Sequence, residues 1–152
     1  MQNKLLYTYF SDDDFLRISK KIQEMEKITS GEIRVSFKEK KPFLKKGKGI
    51  RNLAEEEFAK LGMTATRDKT GILIFILLEE RQFYILADSG INEKVEQTVW
   101  DSVRNNMQNE FRKGNYLTGI LSAIEQVGNI LSEHFPIKSD DTNELSNKVV
   151  ID

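Results

Sequence analysis

Apolar residues recur every three or four positions in four segments of the chain, which is the spacing of one helix face. The first segment follows Ser11 and three aspartates, and a hydroxyl with nearby carboxylates favours a helix start at this point. We expect Asn92 to cap the third helix. The apolar positions of the four predicted helices are Phe15, Ile18, Ile22 and Met25; Ile50, Leu53, Ala54, Phe58 and Leu61; Val95, Val99, Val103, Met107 and Phe111; and Leu117, Ile120, Leu121, Ile124, Val127 and Leu131.

Three segments carry strand patterns instead. Residues 32–37 alternate between polar and apolar side chains, which predicts a strand with one wet or polar face. Residues 71–78 are apolar without alternation, and this is typical of a central strand covered on both faces. The polar link at 79–82 is too short for a crossover, so residues 83–87 are predicted to return antiparallel as a hairpin.

The order of these elements predicts the fold class. A helix between the first two strands is a crossover, which makes those strands parallel. We therefore expect an α/β protein, a three-layer α/β/α sandwich with a small mixed sheet, a parallel crossover, a β-hairpin and about four helices. Residues 1–136 form the predicted domain, and the polar residues 137–152 are predicted to be a flexible tail.

Composition narrows the function classes. The 152 residues suit one domain, and 23 basic against 24 acidic side chains give no general attraction to nucleic acid. Cysteine is absent, which removes disulfides and thiolate chemistry. No apolar run reaches the ~20 residues of a membrane span, and the start does not resemble a secretory signal. We expect a soluble, cytoplasmic monomer.

The most informative stretch for chemistry is Asp88-Ser89-Gly90, which ends the third strand. A hairpin places this stretch beside the segment that enters the second strand, so Asp68 should lie near Asp88. With Asp101 on the next helix, these carboxylates could supply oxygen ligands to Ca²⁺ or Mg²⁺, and Arg67 could bind an anionic oxygen.

The alternative is that Asp88-Ser89-Gly90 is only a turn, with glycine in a conformation that other residues resist. The residues alone favour this turn, because such sequences are common at strand ends. No catalytic residue can be identified from the sequence. The single histidine, His134, lies at the end of a predicted helix, and Trp100 is expected in the core rather than at a cleft.

Four segments, taken in order, resemble the TPM domain family. They are "TSGEIRVSF" (29–37), "TRDKTGILIFILLEERQFYILADSGINEKV" (66–95), "VWDSV" (99–103) and "FRKGNYLTGILSAI" (111–124). The family includes a thylakoid-lumen acid phosphatase and a photosystem II repair protein. The resemblance is to its soluble bacterial branch. Many exported members have a Gly-x-Gly-x-Glu pattern after the third strand, where this chain has Asp88-Ser89-Gly90-Ile91-Asn92-Glu93.

The resemblance implies a Rossmann-like domain that in some members binds divalent cations and has phosphatase activity. With no cysteine and no aspartyl nucleophile pattern in this chain, metal-assisted attack by water is the form that such activity could take. The resemblance places Glu32 at the acidic start of the first strand and adds Glu93 to Asp68, Asp88 and Asp101 as a metal ligand, with Arg67, Ser89 and Gly90 as anion-binding candidates. It also shifts the interpretation of Asp88 towards a cation site.

Two alternatives stay open. One is a non-catalytic module that binds a protein partner, which could be membrane-associated, and whose fold the cation orders. The other is binding of phosphate or anionic lipid through the basic loop Lys38–Lys48, where six lysines surround Phe43 and Leu44.

Overall fold

A computed structural model describes residues 4–66, 68–137 and 149–151. The helices are α1 (Lys4–Tyr9), α2 (Asp12–Glu26), α3 (Ile50–Lys60), α4 (Ser89–Asn92), α5 (Gln97–Arg112) and α6 (Tyr116–His134). The strands are β1 (Glu32–Lys38), β2 (Gly71–Leu77), β3 (Gln82–Ala87) and β4 (Val150–Ile151). Two short 3-10 turns cover Phe43–Lys45 and Met63–Ala65. Among these residues, no helix has the length and apolar character needed to cross a membrane.

The four strands form one mixed sheet in the order β3-β2-β1-β4. β1 and β2 are parallel and joined through α3, with Glu32 opposite Gly71, so the predicted crossover is confirmed. β2 and β3 are antiparallel, with Ile72 opposite Ala87, which confirms the predicted hairpin.

Helices cover both faces of the sheet, as the unbroken apolar sequence of β2 requires. The odd-numbered residues of β2 face a small core formed with α3, whose main members are Leu53, Ala54, Phe58, Leu73, Phe75, Leu77 and Tyr84. The even-numbered residues face a larger core that includes Phe15, Ile22, Phe37, Ile74, Trp100 and Ile124. Trp100 is fully buried, so its predicted place in the core is confirmed. The predicted three-layer α/β/α sandwich is therefore the observed architecture.

The polar side of β1 is buried, although the alternating pattern predicted a face that could be wet. Glu32, Arg34 and Ser36 are each 6% exposed or less. The Ser36 hydroxyl donates to Glu57 of α3 at 2.6 Å. Burial lowers the pKa of Arg34, and the nearby carboxylates of Glu26 and Glu32 act in the opposite direction. The hydrogen bond of Ser36 and the carboxylates near Arg34 offset part of the cost of burying these polar groups.

Two helices differ from the sequence prediction. The third long helix, α5, begins at Gln97, so the cap predicted at Asn92 is wrong. Asn92 instead ends the short helix α4, and its side-chain amide donates to the Ala87 carbonyl at 3.0 Å. α1 was not predicted. It is held by the buried side chain of Leu6, whose backbone N–H donates to the Glu39 carboxylate at 2.7 Å.

The segment after the predicted domain boundary falls in two parts. Residues 138–148, most of the predicted tail, lie outside the described residues. Val150 and Ile151 pair in parallel with Ser36 and Phe37 at the edge of the sheet, so a short strand follows where the sequence predicted only tail. The boundary at residue 136 stays a prediction.

Candidate functional site

The candidate site lies at the turn from β3 to α4, where Asp88 is the helix cap. The backbone N–H of Asp88 donates to the Gly71 carbonyl at 2.9 Å, which fixes the turn beside the start of β2. Oδ1 of Asp88 accepts a hydrogen bond from the backbone N–H of Ser89 at 2.7 Å. The hairpin therefore brings Asp88 next to the segment that enters β2, as the sequence predicted.

The other carboxylate oxygen of Asp88 has a different environment. Oδ2 is buried, and within the part of the chain that the structure describes no group donates a hydrogen bond to it. A buried acceptor without a donor is unfavourable, and more so when it is charged. The turn thus contains a carboxylate oxygen that could accept hydrogen bonds but receives none from the described residues.

Gly90 packs directly against the segment that precedes β2. A Cβ atom at this position would lie 2.5 Å from the carbonyl oxygens of both Asp68 and Lys69. Real Cβ atoms do not approach oxygen so closely, so only glycine fits here without a shift of the backbone. Two carbonyl oxygens therefore converge on the turn that carries Asp88.

Lys69 also contributes to this site, and the sequence patterns did not identify it. Its backbone has a φ of 56°, in the left-handed region that side chains rarely adopt, and its ammonium group donates to the Thr64 carbonyl. The Asp-Lys-Thr sequence before an apolar strand is the available signal for such a turn.

The remaining predicted ligands are more dispersed. Glu93 is an exposed residue that follows the end of α4. Asp101 lies one helical turn after Gln97, whose amide donates to the Ile85 carbonyl at 3.0 Å and lies 3.5 Å from Oδ1 of Asp101. Arg67 lies outside the described residues.

The described residues, taken together, contain no group of three or more histidine, aspartate or glutamate side chains arranged to hold a metal ion. A cation at this turn would have to bind one or two carboxylates together with backbone carbonyls and water. Carbonyl and water oxygens are ordinary ligands of Ca²⁺, so the oxygen donors at this turn are of the type that a hard cation uses.

The Lys38–Lys48 loop forms a second exposed feature. Phe43 and Leu44 project from its 3-10 turn with 79% and 93% of their surface exposed. Lys46 lies over the Phe43 ring at 5.3 Å from its centre. These two adjacent apolar side chains form an exposed tip, and no other described residue covers it.

At least three of the lysines in the Lys38–Lys48 loop are paired with carboxylates. Lys45 and Lys48 each lie 2.5 Å from a carboxylate oxygen of Glu56 on α3, and Lys41 lies 3.2 Å from Glu80. The hydrogen bonds from Lys45 and Lys48 lower the pKa of Glu56 to about 2. The loop is thus tied to α3, and its positive charge is smaller than its sequence suggests.

Comparison with known proteins identifies one family and solved structures with a similar fold. The sequence profile of the TPM domain matches residues 7–130. The fold is similar to the NMR structure of the BA42 protein from the psychrophilic bacterium Bizionia argentinensis, with 33% identity, a TM-score of 0.84, and coverage of 95% of this chain and 96% of that one. It is also similar to the N-terminal domain of a protein from P. gingivalis, with 14% identity, a TM-score of 0.68, and coverage of 84% and 79%, a likeness of fold alone. No curated protein matches the chain.

Proposed function

Because this chain belongs to the TPM domain family, we propose that it binds a divalent cation, Ca²⁺ or Mg²⁺, at the turn between β3 and α4. The observation that supports this most is the buried Oδ2 atom of Asp88, which receives no hydrogen bond from the described residues. A cation would satisfy this oxygen and offset the cost of its burial.

The carbonyl oxygens of Asp68 and Lys69 beside Gly90 are the proposed neutral ligands. Glu93 and Asp101 are proposed to bind the cation, either directly or through a water molecule. The described residues contain no group of three carboxylates arranged around one point, and Ca²⁺ binds more weakly when fewer of its ligands are charged. We therefore expect weak binding, with a Kd on the order of 10⁻⁴–10⁻³ M.

Titration of the full chain with CaCl₂ or MgCl₂, followed by amide chemical shifts, tests this proposal. We expect saturable shifts in residues 68–69 and 88–93, and Asp88→Asn should weaken binding about tenfold or more. The matched control is Asp13→Asn, on α2, where the carboxylate only pairs with exposed Arg17. Unchanged affinity in Asp88→Asn, or shifts without saturation at millimolar cation, would reject the site.

Hydrolysis of a phosphoric monoester is the catalytic form of this proposal. A bound divalent cation would supply charge neutralisation and an activated water molecule. The chain itself would contribute the Asp88 carboxylate, with the Ser89 hydroxyl and Arg67 as candidates for the phosphoryl oxygens. Turnover of a phosphomonoester with added cation, lost in Asp88→Asn, would support an enzyme. Cation binding without turnover would favour the non-catalytic module that binds a protein partner.

The exposed tip of the Lys38–Lys48 loop favours a second candidate function, binding to an anionic lipid surface. Phe43 and Leu44 would enter the headgroup region while Lys40 and Lys46 meet lipid phosphates. Neither Lys40 nor Lys46 has an ion pair among the described residues.

Co-sedimentation with phosphatidylserine vesicles tests the lipid proposal. We expect binding that decreases with salt and is lost in Phe43→Ser/Leu44→Ser. The control is Leu16→Ser, which removes an apolar residue of 69% exposure from α2 instead. Equal binding of both variants, or no vesicle binding by the unaltered chain, would reject this function.

A further inference from the structure

A cleft of about 340 Å³ lies where α1, the β2–β3 turn, the end of α5 and the start of α6 meet. Its walls are four aromatic rings and its rim carries two arginines. These residues are Tyr9, Phe83, Phe111, Tyr116, Arg81 and Arg112, and we call the feature the aromatic cleft. It follows the carboxyl end of β2, the edge of an α/β sheet at which ligands commonly bind.

The rings of the aromatic cleft form one continuous apolar wall. Phe111 packs edge-to-face against Phe83 at 4.9 Å and against Tyr116 at 5.3 Å between ring centres, and Tyr116 packs against Tyr9 at 4.7 Å. Phe83 is buried, whereas Tyr9, Phe111 and Tyr116 are only partly buried. Their remaining surface is suited to contact with a flat aromatic group.

The two arginines give the cleft a positive rim. Arg81 makes no side-chain hydrogen bond or ion pair with the residues that the structure describes, and Arg112 makes one, to the Asn109 side chain at 3.3 Å. The adjoining groove along α1 adds Lys4 and Lys40, together with two carboxylates. One of these, Glu39, already accepts from the backbone N–H of Leu6. A guanidinium group binds phosphate oxygens in pairs, so the rim suits that anion.

The backbone of Arg81 adds a second observation. Its φ of 52° lies in the left-handed region, where asparagine or glycine is accommodated more readily. The backbone N–H of Arg81 donates to the Leu78 carbonyl at 3.1 Å, which closes the hairpin turn. The hairpin turn thus fixes the position from which Arg81 lines the rim of the cleft.

We propose that the aromatic cleft binds a small aromatic molecule carrying a phosphate, of the class of the nucleoside monophosphates. The rings would stack on the base and the two arginines would bind the phosphate. Gln108, which also lines the cleft, offers a donor and an acceptor to the edge of the base. The volume is near the lower end of ligand pockets, roughly 300–1,000 Å³, and suits one nucleotide rather than a polymer. The proposal does not depend on the cation site.

Titration of the full chain with AMP, GMP, CMP and UMP in the presence of EDTA tests this proposal by calorimetry and amide shifts. We expect saturable binding of at least one nucleotide, with shifts at residues 81–83, 108–112 and 116. Adenosine and inorganic phosphate, titrated separately, should each bind about tenfold more weakly, since each lacks one half of the contacts. Phosphate binding as tightly as the nucleotides would overturn the role of the rings.

Variants of the rim arginines complete the test. Arg81→Asn keeps a residue that tolerates the left-handed backbone, and Arg112→Gln keeps a helix former. Each should weaken nucleotide binding about tenfold, because a hydrogen bond to a charged group is lost. The matched control, Arg51→Gln on α3, should bind normally. Equal affinity in all three variants, or no saturable binding of any nucleotide by the unaltered chain, would overturn the proposal.

Discussion

At the scale of single residues, close packing around the β3–α4 turn leaves no room for a side chain at Gly90. The Gly90→Ala variant should lose about 1–3 kcal/mol of unfolding free energy, because two backbone carbonyls cannot both move away from a new methyl group. Urea denaturation measures this loss. The control is Gly47→Ala in the Lys38–Lys48 loop, where a Cβ meets nothing within 4 Å and the change should stay within about 0.5 kcal/mol. Equal stability of the two variants would contradict the packing described for Gly90.

The ionisation of Glu56 gives a second prediction at this scale. Its pKa is lowered to about 2, so the stabilising contact with Lys45 and Lys48 is fully present above the ordinary carboxyl pKa. That contribution should be lost as the pH falls through about 2. Carbon-13 titration of the carboxyl group should show the low pKa, and Lys45→Gln/Lys48→Gln should raise it towards its usual value. Lys46→Gln is the control, since Lys46 contacts the Phe43 ring instead.

Residue patterns located the turn at Asp88 but not the backbone oxygens that lie beside it. The reversal of β3 follows from the short link at 79–82, and this reversal brings Asp68 to the β3–α4 turn. The two carbonyls beside Gly90 depend on the left-handed backbone at Lys69, which no periodic pattern records. The aromatic cleft was missed for a related reason, because its residues are brought together from four separated elements.

At the scale of elements, the contact between α2 and α6 depends on a glycine. A Cβ at Gly128 would lie 2.5–2.9 Å from three side-chain atoms of Met25, including its Cβ. Overpacking in Gly128→Ala should cost about 1–3 kcal/mol, of which the gain in helix propensity offsets ~1 kcal/mol, so we expect a net loss of up to about 2 kcal/mol. Thermal or urea unfolding measures the difference. Asn129→Ala, at an exposed position of the same helix, should be neutral or stabilising, and equal losses in both variants would contradict this contact.

The long elements were predictable because each repeats its pattern several times. α2, α3, α5 and α6 span 11–19 residues, which is enough for an apolar face to be recognised. α1 and α4 have six and four residues, too few for a period, and they depend on tertiary contacts such as the bond from Leu6 to Glu39. The two-residue strand β4 is shorter still, and its pairing with β1 has no local signal.

At the scale of the whole molecule, cation binding should be visible as stabilisation. A ligand that binds only the folded state raises the free energy of unfolding, by about 1.4 kcal/mol at ten times its Kd. We expect CaCl₂ or MgCl₂ in the millimolar range to raise the melting temperature of the chain. The Asp88→Asn variant should show a smaller rise, while Asp13→Asn should behave like the unaltered chain. An equal rise in both variants would indicate a general salt effect.

The length of β3 limits which ligands could contact the residues at both of its ends. Arg81 and Asp88 flank the six residues of β3, and at ~3.3 Å for each of the seven steps between them their backbones lie roughly 23 Å apart. A mononucleotide is shorter than that span, so its phosphate cannot touch the guanidinium of Arg81 and the carboxylate of Asp88 at once. A nucleotide in the aromatic cleft would therefore be out of reach of chemistry at the β3–α4 turn. Under the two proposals, a nucleotide in the aromatic cleft and a substrate hydrolysed beside Asp88 would be different molecules.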